Sequence, residues 1–158
     1  MLRIPQEVIT VYTDGSCHTV HKTGAWAVIL LTDGKKIVLK GMAEHTTNQR
    51  MELTAVLNAL EYVEQNGLTH PVQIYTDSQY VIDIQTRIPH LQRNNYLTKK
   101  GKPNRNVDLV RKLVGYLQRM NIVFIKVISH LKKDDTENFN REVDKMARRI
   151  VRGGRLEG

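Results

Sequence analysis

The sequence predicts an α/β protein: a five-stranded mixed sheet with helices packed on both faces. Two observations predict it. Three β-rich runs come first, the second and third joined by a hairpin signal at Asp33-Gly34. Helical periodicity then alternates with two further β-rich runs, giving the order βββαβααβα.

The first run, Val8 to Thr13, ends in the word Tyr12-Thr13-Asp14-Gly15-Ser16. His18 to Lys22 is a polar turn, and Ala25 to Leu31 reads as the second strand. Ile37-Val38-Leu39 continues as the third, completing an antiparallel meander. From Asn48 to Gln65 the pattern is helical, and Asn66-Gly67 ends it. The fourth strand, Val72 to Thr76, leads into a second copy of the word, Tyr75-Thr76-Asp77-Ser78-Gln79. Ser78 to about Arg87 is expected to be helical, with Pro89 breaking it. Further elements are a helix from Asn106 to Met120, a strand from Ile122 to Ile128 and a helix from Asn138 to Arg152. Residues 153–158 are expected to form a flexible tail.

The repeated word is the informative feature. An aspartate at the carboxyl end of a strand stands at the rim of a sheet, where α/β proteins place ligands. Each aspartate follows a tyrosine by two residues, so strand alternation puts both carboxylates on the tyrosine face. Like charges at one rim repel, and a bound cation relieves the repulsion. Glu52 shares a helical face with Val56, Ala59 and Val63, the face expected to pack on the sheet. The alternative is a glutamate favoured near a helix N-terminus by the macrodipole. Asp144 lies at the edge of the apolar stripe Val143, Met146, Ala147, Ile150, and could instead pair with Arg148 four residues on. Carboxylates without a cysteine or histidine cluster select hard cations, Mg²⁺ first and Mn²⁺ as a substitute. Two such ions close together activate water and stabilise the leaving oxygen in phosphodiester hydrolysis.

Composition agrees. The 158 residues suit one domain, and Lys plus Arg (24) exceed Asp plus Glu (16) by eight. That excess favours a polyanionic partner such as nucleic acid. The acid-free stretch between Asp83 and Asp108 carries Arg87, Arg93, Lys99, Lys100, Lys102 and Arg105. It reads as a grip on phosphates or as a solvated basic loop. A single cysteine, Cys17, excludes an intrachain disulfide and a cysteine-rich zinc site. No apolar run approaches membrane-spanning length, so no membrane partner is expected.

The set Thr13-Asp14-Gly15-Ser16, Thr47-Asn48-Gln49-Arg50-Met51-Glu52-Leu53, Thr76-Asp77-Ser78-Gln79-Tyr80 and Asn140-Arg141-Glu142-Val143-Asp144 resembles type 1 ribonuclease H, over about residues 8–152. The resemblance implies a ribonuclease H-like fold, with residues 1–152 as a single catalytic domain. It implies hydrolysis of the RNA strand of an RNA–DNA hybrid, leaving 5′-phosphate and 3′-hydroxyl ends. It also implies metal binding by Asp14, Glu52, Asp77 and Asp144, with Asp14 bridging two Mg²⁺ ions, and proton transfer or product departure assisted by His130. Gly15, Ser16, Asn48, Gln49, Ser78 and Gln79 match hybrid contacts, and Arg93, Lys99, Lys100 and Lys102 fall in the family's basic handle. A cytoplasmic monomer is expected. Four features depart from the family pattern: the turn His18 to Thr23, Gln49 in place of a common asparagine, Ser129 in place of a frequent glycine before His130, and a longer segment from His130 to Asp144. Two other readings share these residues, a DNA nuclease or strand-transfer enzyme on the same fold and a non-catalytic hybrid-binding module.

Overall fold

In the computed structural model, residues 7–128 and 135–153 are described, the side chains of 135–138 excepted. His130, the residues beside it and the tail beyond Gly153 lie outside the described residues. The elements are β1 (Ile9–Cys17), β2 (Gly24–Thr32), β3 (Lys35–Ala43), α1 (Asn48–Gln65), β4 (Val72–Thr76), α2 (Gln79–Arg93), α3 (Val107–Arg119), β5 (Ile122–Lys126) and α4 (Asp135–Gly153). The sheet order is β3-β2-β1-β4-β5, with the first three strands antiparallel and β1, β4 and β5 mutually parallel. The expected mixed sheet is present, and helices cover both faces.

Strand alternation divides the core. Ile9, Val11, Val28, Leu30, Val72 and Ile74 face α1, α2 and α3, where they meet Val56, Leu60, Ile84 and Leu113. Tyr12, Ala25, Ala27 and Ile29 face the other way, against Val143, Ala147 and Ile150 of α4. Small residues on β2 let α4 lie close to the sheet.

Two expectations are corrected. β1 does not end at Asp14. It runs on to Cys17 because β2 continues to pair with it, through Asp14 opposite Ala27 and Cys17 opposite Gly24. On its other side the pairing with β4 ends at Tyr12 opposite Tyr75. Asp14 therefore sits in mid-strand, at the split between two strands. Secondly, Pro89 does not end α2, which continues to Arg93 with the proline inside it. The proline removes one helical hydrogen bond, but Leu91 beyond it is buried, and Tyr96 packs into the same core with its N–H on the Leu91 carbonyl. Tertiary burial holds the last turn that local propensity disfavours. β5 is also shorter than expected, stopping at Lys126.

Candidate active site

The parallel register of β1 and β4 sets the two copies of the aspartate word side by side. Tyr12 and Tyr75 are paired and their rings stack at 4.9 Å. Asp14 and Asp77 each follow two residues later, on the side of the sheet covered by α4 at β1. Glu52 comes from the opposite layer. It reaches the same place because Gly15 lets α1 press against the strand: a Cβ on Gly15 would stand 2.5 Å from the Glu52 backbone nitrogen and 2.6 Å from the Met51 carbonyl carbon. Thr47 caps α1, accepting from the Arg50 N–H. Asn48 is left facing the cleft.

Carboxylate oxygens of Asp14, Glu52 and Asp77 all lie within 4.8 Å of one another. Asp144, from α4, comes close enough to Asp14 to raise its carboxyl. It also pairs with Arg148 at 3.0 Å, the alternative that the sequence offered for it. Asp14 and Glu52 are buried, whereas Asp77 is exposed at the mouth. Burial is the main force raising the Asp14 carboxyl well above the ordinary range, and the charges of Glu52, Asp77 and Asp144 add to it. Glu52 is raised by burial and by Asp77, against the opposing hydrogen bonds from the Gly15 backbone and Asp14.

Two buried side-chain oxygens have no hydrogen-bond partner among the described residues, Oγ1 of Thr46 and Oε2 of Glu52, and the second lies in the cluster. A carboxylate oxygen stranded out of water is costly unless something positive meets it. An all-oxygen donor set around such an atom fits a hard divalent cation.

The cluster opens into a cleft of about 870 Å³ lined by Asp14, Gly15, Ser16, Asn48, Gln49, Glu52, Asp77, Ser78 and Asp144 among others. Nine of the residues singled out in the sequence thus share one concavity. Gln79 is not among its lining residues; its amide donates to Asp83 at 2.7 Å. The Ser78 hydroxyl caps α2, accepting from the Val81 N–H. Arg93, Lys99, Lys100 and Lys102 stand exposed at the end of α2 and on the loop that follows, away from the carboxylates. That loop folds back through the Leu97–Pro103 bridge, and the Arg111 guanidinium lies 4.2 Å over the Tyr96 ring at its base.

Six cleft residues were not singled out as site residues: Cys17, His18, Thr19, Arg148, Val151 and Arg152. Helical spacing carried a signal for the arginines, which follow Asp144 at i+4 and i+8 and so share its face. The histidine turn carried none. Its shape is set by Nδ1 of His18, which accepts the N–H groups of Val20 and His21, each at 3.2 Å.

Comparison with known proteins bears on this geometry. The family described as RNase H matches residues 6–152. The chain belongs to the ribonuclease H family. A ribonuclease H of Caldicellulosiruptor saccharolyticus is 36% identical over 146 residues, covering 91% of this chain and 96% of that one. One from Moorella thermoacetica is 36% identical over 145 residues, covering 90% and 91%. Among solved structures, LC9-RNase H1, described as a type 1 RNase H with the type 2 active-site motif, superposes with a TM-score of 0.77 at 23% identity, over 96% of this chain and 75% of that one. The foamy viral protease-reverse transcriptase, solved with an RNA/DNA hybrid, gives 0.76 at 20% identity over 96% of this chain and 21% of that one. At such identities these two likenesses establish the ribonuclease H fold.

Proposed function

We propose that this chain cuts the RNA strand of RNA–DNA hybrids at a divalent-metal centre held by Asp14, Glu52, Asp77 and Asp144. Membership of the ribonuclease H family makes it a ribonuclease H, and the family implies dependence on a divalent metal. The observation that carries the residue assignment is the stranded Glu52 oxygen inside a cluster of acids. Mg²⁺, as two ions, is the cation this reading names, with Mn²⁺ able to replace it. When bound, such ions activate water and stabilise the leaving oxygen of a phosphodiester.

The protein's own groups do the rest. Asp14 and Glu52, raised by burial, would have to release their protons to hold a cation, which would make holding it easier at higher pH. Arg148 neutralises Asp144 and offers the cleft a fixed positive charge. Asn48 and Gln49 sit on the first turn of α1 facing the same cleft, where amides can read 2′-hydroxyls and minor-groove edges. Gly15, Ser16, Ser78 and Gln79 flank the scissile region in this reading. Arg93, Lys99, Lys100 and Lys102 hold the DNA strand by charge. His130 assists proton movement or product departure. The products carry 5′-phosphate and 3′-hydroxyl ends, and the enzyme works as a cytoplasmic monomer. Among the described residues no helix is long and apolar enough to cross a membrane.

The test is cleavage of labelled RNA–DNA hybrid, duplex DNA and duplex RNA with Mg²⁺, Mn²⁺ or chelator. The expected result is metal-dependent cutting of the hybrid's RNA strand alone. Binding without cutting would leave a hybrid-binding module in its place, and cutting of duplex DNA would leave a DNA nuclease.

A further inference from the structure

At the end of the sheet opposite the carboxylate cleft, three other metal-ligating side chains converge. Glu7 comes from the segment leading into β1, Asp33 from the hairpin between β2 and β3, and His70 from the loop between α1 and β4. One ligand atom of each lies within 4.8 Å of the other two. Nε2 of His70 stands 3.1 Å from Oε2 of Glu7. Along β1, Asp14 follows Ile9 at a distance of about 16 Å at the usual strand rise. The group is therefore separate from the acids of the cleft.

Sheet register brings the three segments together. Thr10 pairs with Leu31 and Ile9 with Val72, so the start of β1, the end of β2 and the start of β4 meet at one end of the sheet. The Ile9 N–H donates to the Pro71 carbonyl at 2.8 Å, which fixes the chain one residue past His70. The proline also restricts the backbone of His70 before it. Asp33 holds a left-handed turn position, φ 49°, which aspartate tolerates.

An ion pair accounts for Glu7 and His70 alone, and at such exposure it contributes little. It does not account for Asp33, a second carboxylate against the same imidazole. Two carboxylates and one imidazole are a donor set for a divalent transition ion. Ligands about 2.0–2.2 Å from Zn²⁺ stand roughly 3–3.5 Å apart. The Glu7–His70 separation already fits, and the exposed Asp33 side chain can turn to close the set. With its proton on Nδ1, His70 presents a lone pair at Nε2. The imidazole also distinguishes this group from the all-oxygen cleft, because nitrogen ligands favour Zn²⁺ over Mg²⁺.

We propose that Glu7, Asp33 and His70 form a surface Zn²⁺ site that ties the chain entering β1 to the β2–β3 hairpin and to the entry of β4. Exposure leaves the fourth position to water. The three ligands are far apart along the sequence, so the ion binds the folded chain in preference to the unfolded one and stabilises it. The site takes no part in cleavage.

Calorimetric titration of Zn²⁺ into the whole chain, in excess Mg²⁺, tests the proposal. Expected is a binding event that Asp77→Asn keeps and His70→Gln loses. Glutamine can still donate to Glu7 but lacks the imidazole nitrogen. Asp33→Asn should weaken binding by about tenfold or more, since a charged ligand is gone. Zn²⁺ should raise Tm by a few degrees in the wild type and not in His70→Gln. It should also shift the NMR resonances of the His70 ring. Activity in Mg²⁺ should be unchanged in His70→Gln and Asp33→Asn. Equal Zn²⁺ binding by His70→Gln overturns the proposal. So does a shift confined to the His18 and His21 rings, a competing imidazole pair 4.6 Å apart. Unaltered binding in Asp33→Asn leaves only the Glu7–His70 ion pair and overturns it as well. None of these readouts depends on hybrid cleavage, so failure of the functional reading is a separate result.

Discussion

Tyr12 and Tyr75 stack at 4.9 Å, 15° from parallel, at paired positions of β1 and β4. Each ring stands two residues before a clustered aspartate, so the stack ties the two arms of the site together below the point where the strands part. Phe139 of α4 lies 5.1 Å from the Tyr12 ring, and Lys36 of β3 pairs with Glu142 at 2.9 Å. These contacts dock the helix that carries Asp144.

Asp77→Asn should abolish cleavage while keeping hybrid binding. Asp77 is exposed and close to Asp14 and Glu52, so the change alters the cation site and leaves the basic loop intact. Loss of several kcal/mol of transition-state stabilisation corresponds to roughly a 10³-fold drop in kcat. Single-turnover cleavage and hybrid affinity measured side by side decide it; turnover equal to wild type would remove Asp77 from the site.

Asp14→Asn should stabilise the metal-free protein. The raised carboxyls of Asp14 and Glu52 keep protons in the fold that the unfolded chain releases above about pH 4. Unfolded chains then bind fewer protons than folded ones, so stability falls as pH rises toward the folded values. In chelator, Tm should decline from pH 5 to pH 9, and Mg²⁺ should reduce that decline. The variant should gain ~1–2 kcal/mol near neutral pH, a few degrees in Tm for a domain of this size. A pH-independent Tm in chelator would contradict the electrostatics.

Gly15→Ala should cost both stability and activity. The added Cβ meets backbone atoms at 2.5 and 2.6 Å, which cannot swing aside as a side chain end can. Overpacking of this kind costs ~1–3 kcal/mol. Because the strand must move from α1, Glu52 leaves the cluster, and kcat should fall more than the stability loss explains. Chemical denaturation and kcat on the same sample separate the two effects.

Replacing Lys99, Lys100 and Lys102 together by alanine should weaken hybrid binding without lowering kcat at saturating substrate. All three are exposed on the loop between α2 and α3. If each neutralises one phosphate, the slope of log affinity against log salt should become shallower by roughly 2–3. An unchanged slope would return the segment to a solvated loop.

Much of this was legible in the chain. The 3.6-residue pattern of α1 placed Glu52 on the buried face, and the two aspartate words marked the ends of the rim. The misreadings have specific causes. Pro89 is a local breaker, but Leu91 and Tyr96 bury beyond it and carry the helix onward. Asp14 resembles a strand terminus because the residues after it are small and polar; β2 keeps pairing with it regardless.

The sequence by itself determined the element order and the α/β class, because hydrophobic periodicity and turn chemistry are local properties of the chain. Only the tertiary structure decided that β1 outruns β4 at Asp14, that Oε2 of Glu52 is buried without a hydrogen-bond partner, and that Asn106 lies against Gln49. Those facts depend on register, close approach and hydrogen-bond polarity between segments far apart in the chain, such as Asn106 and Gln49. No local pattern encodes them, since each is set by what the other segment presents.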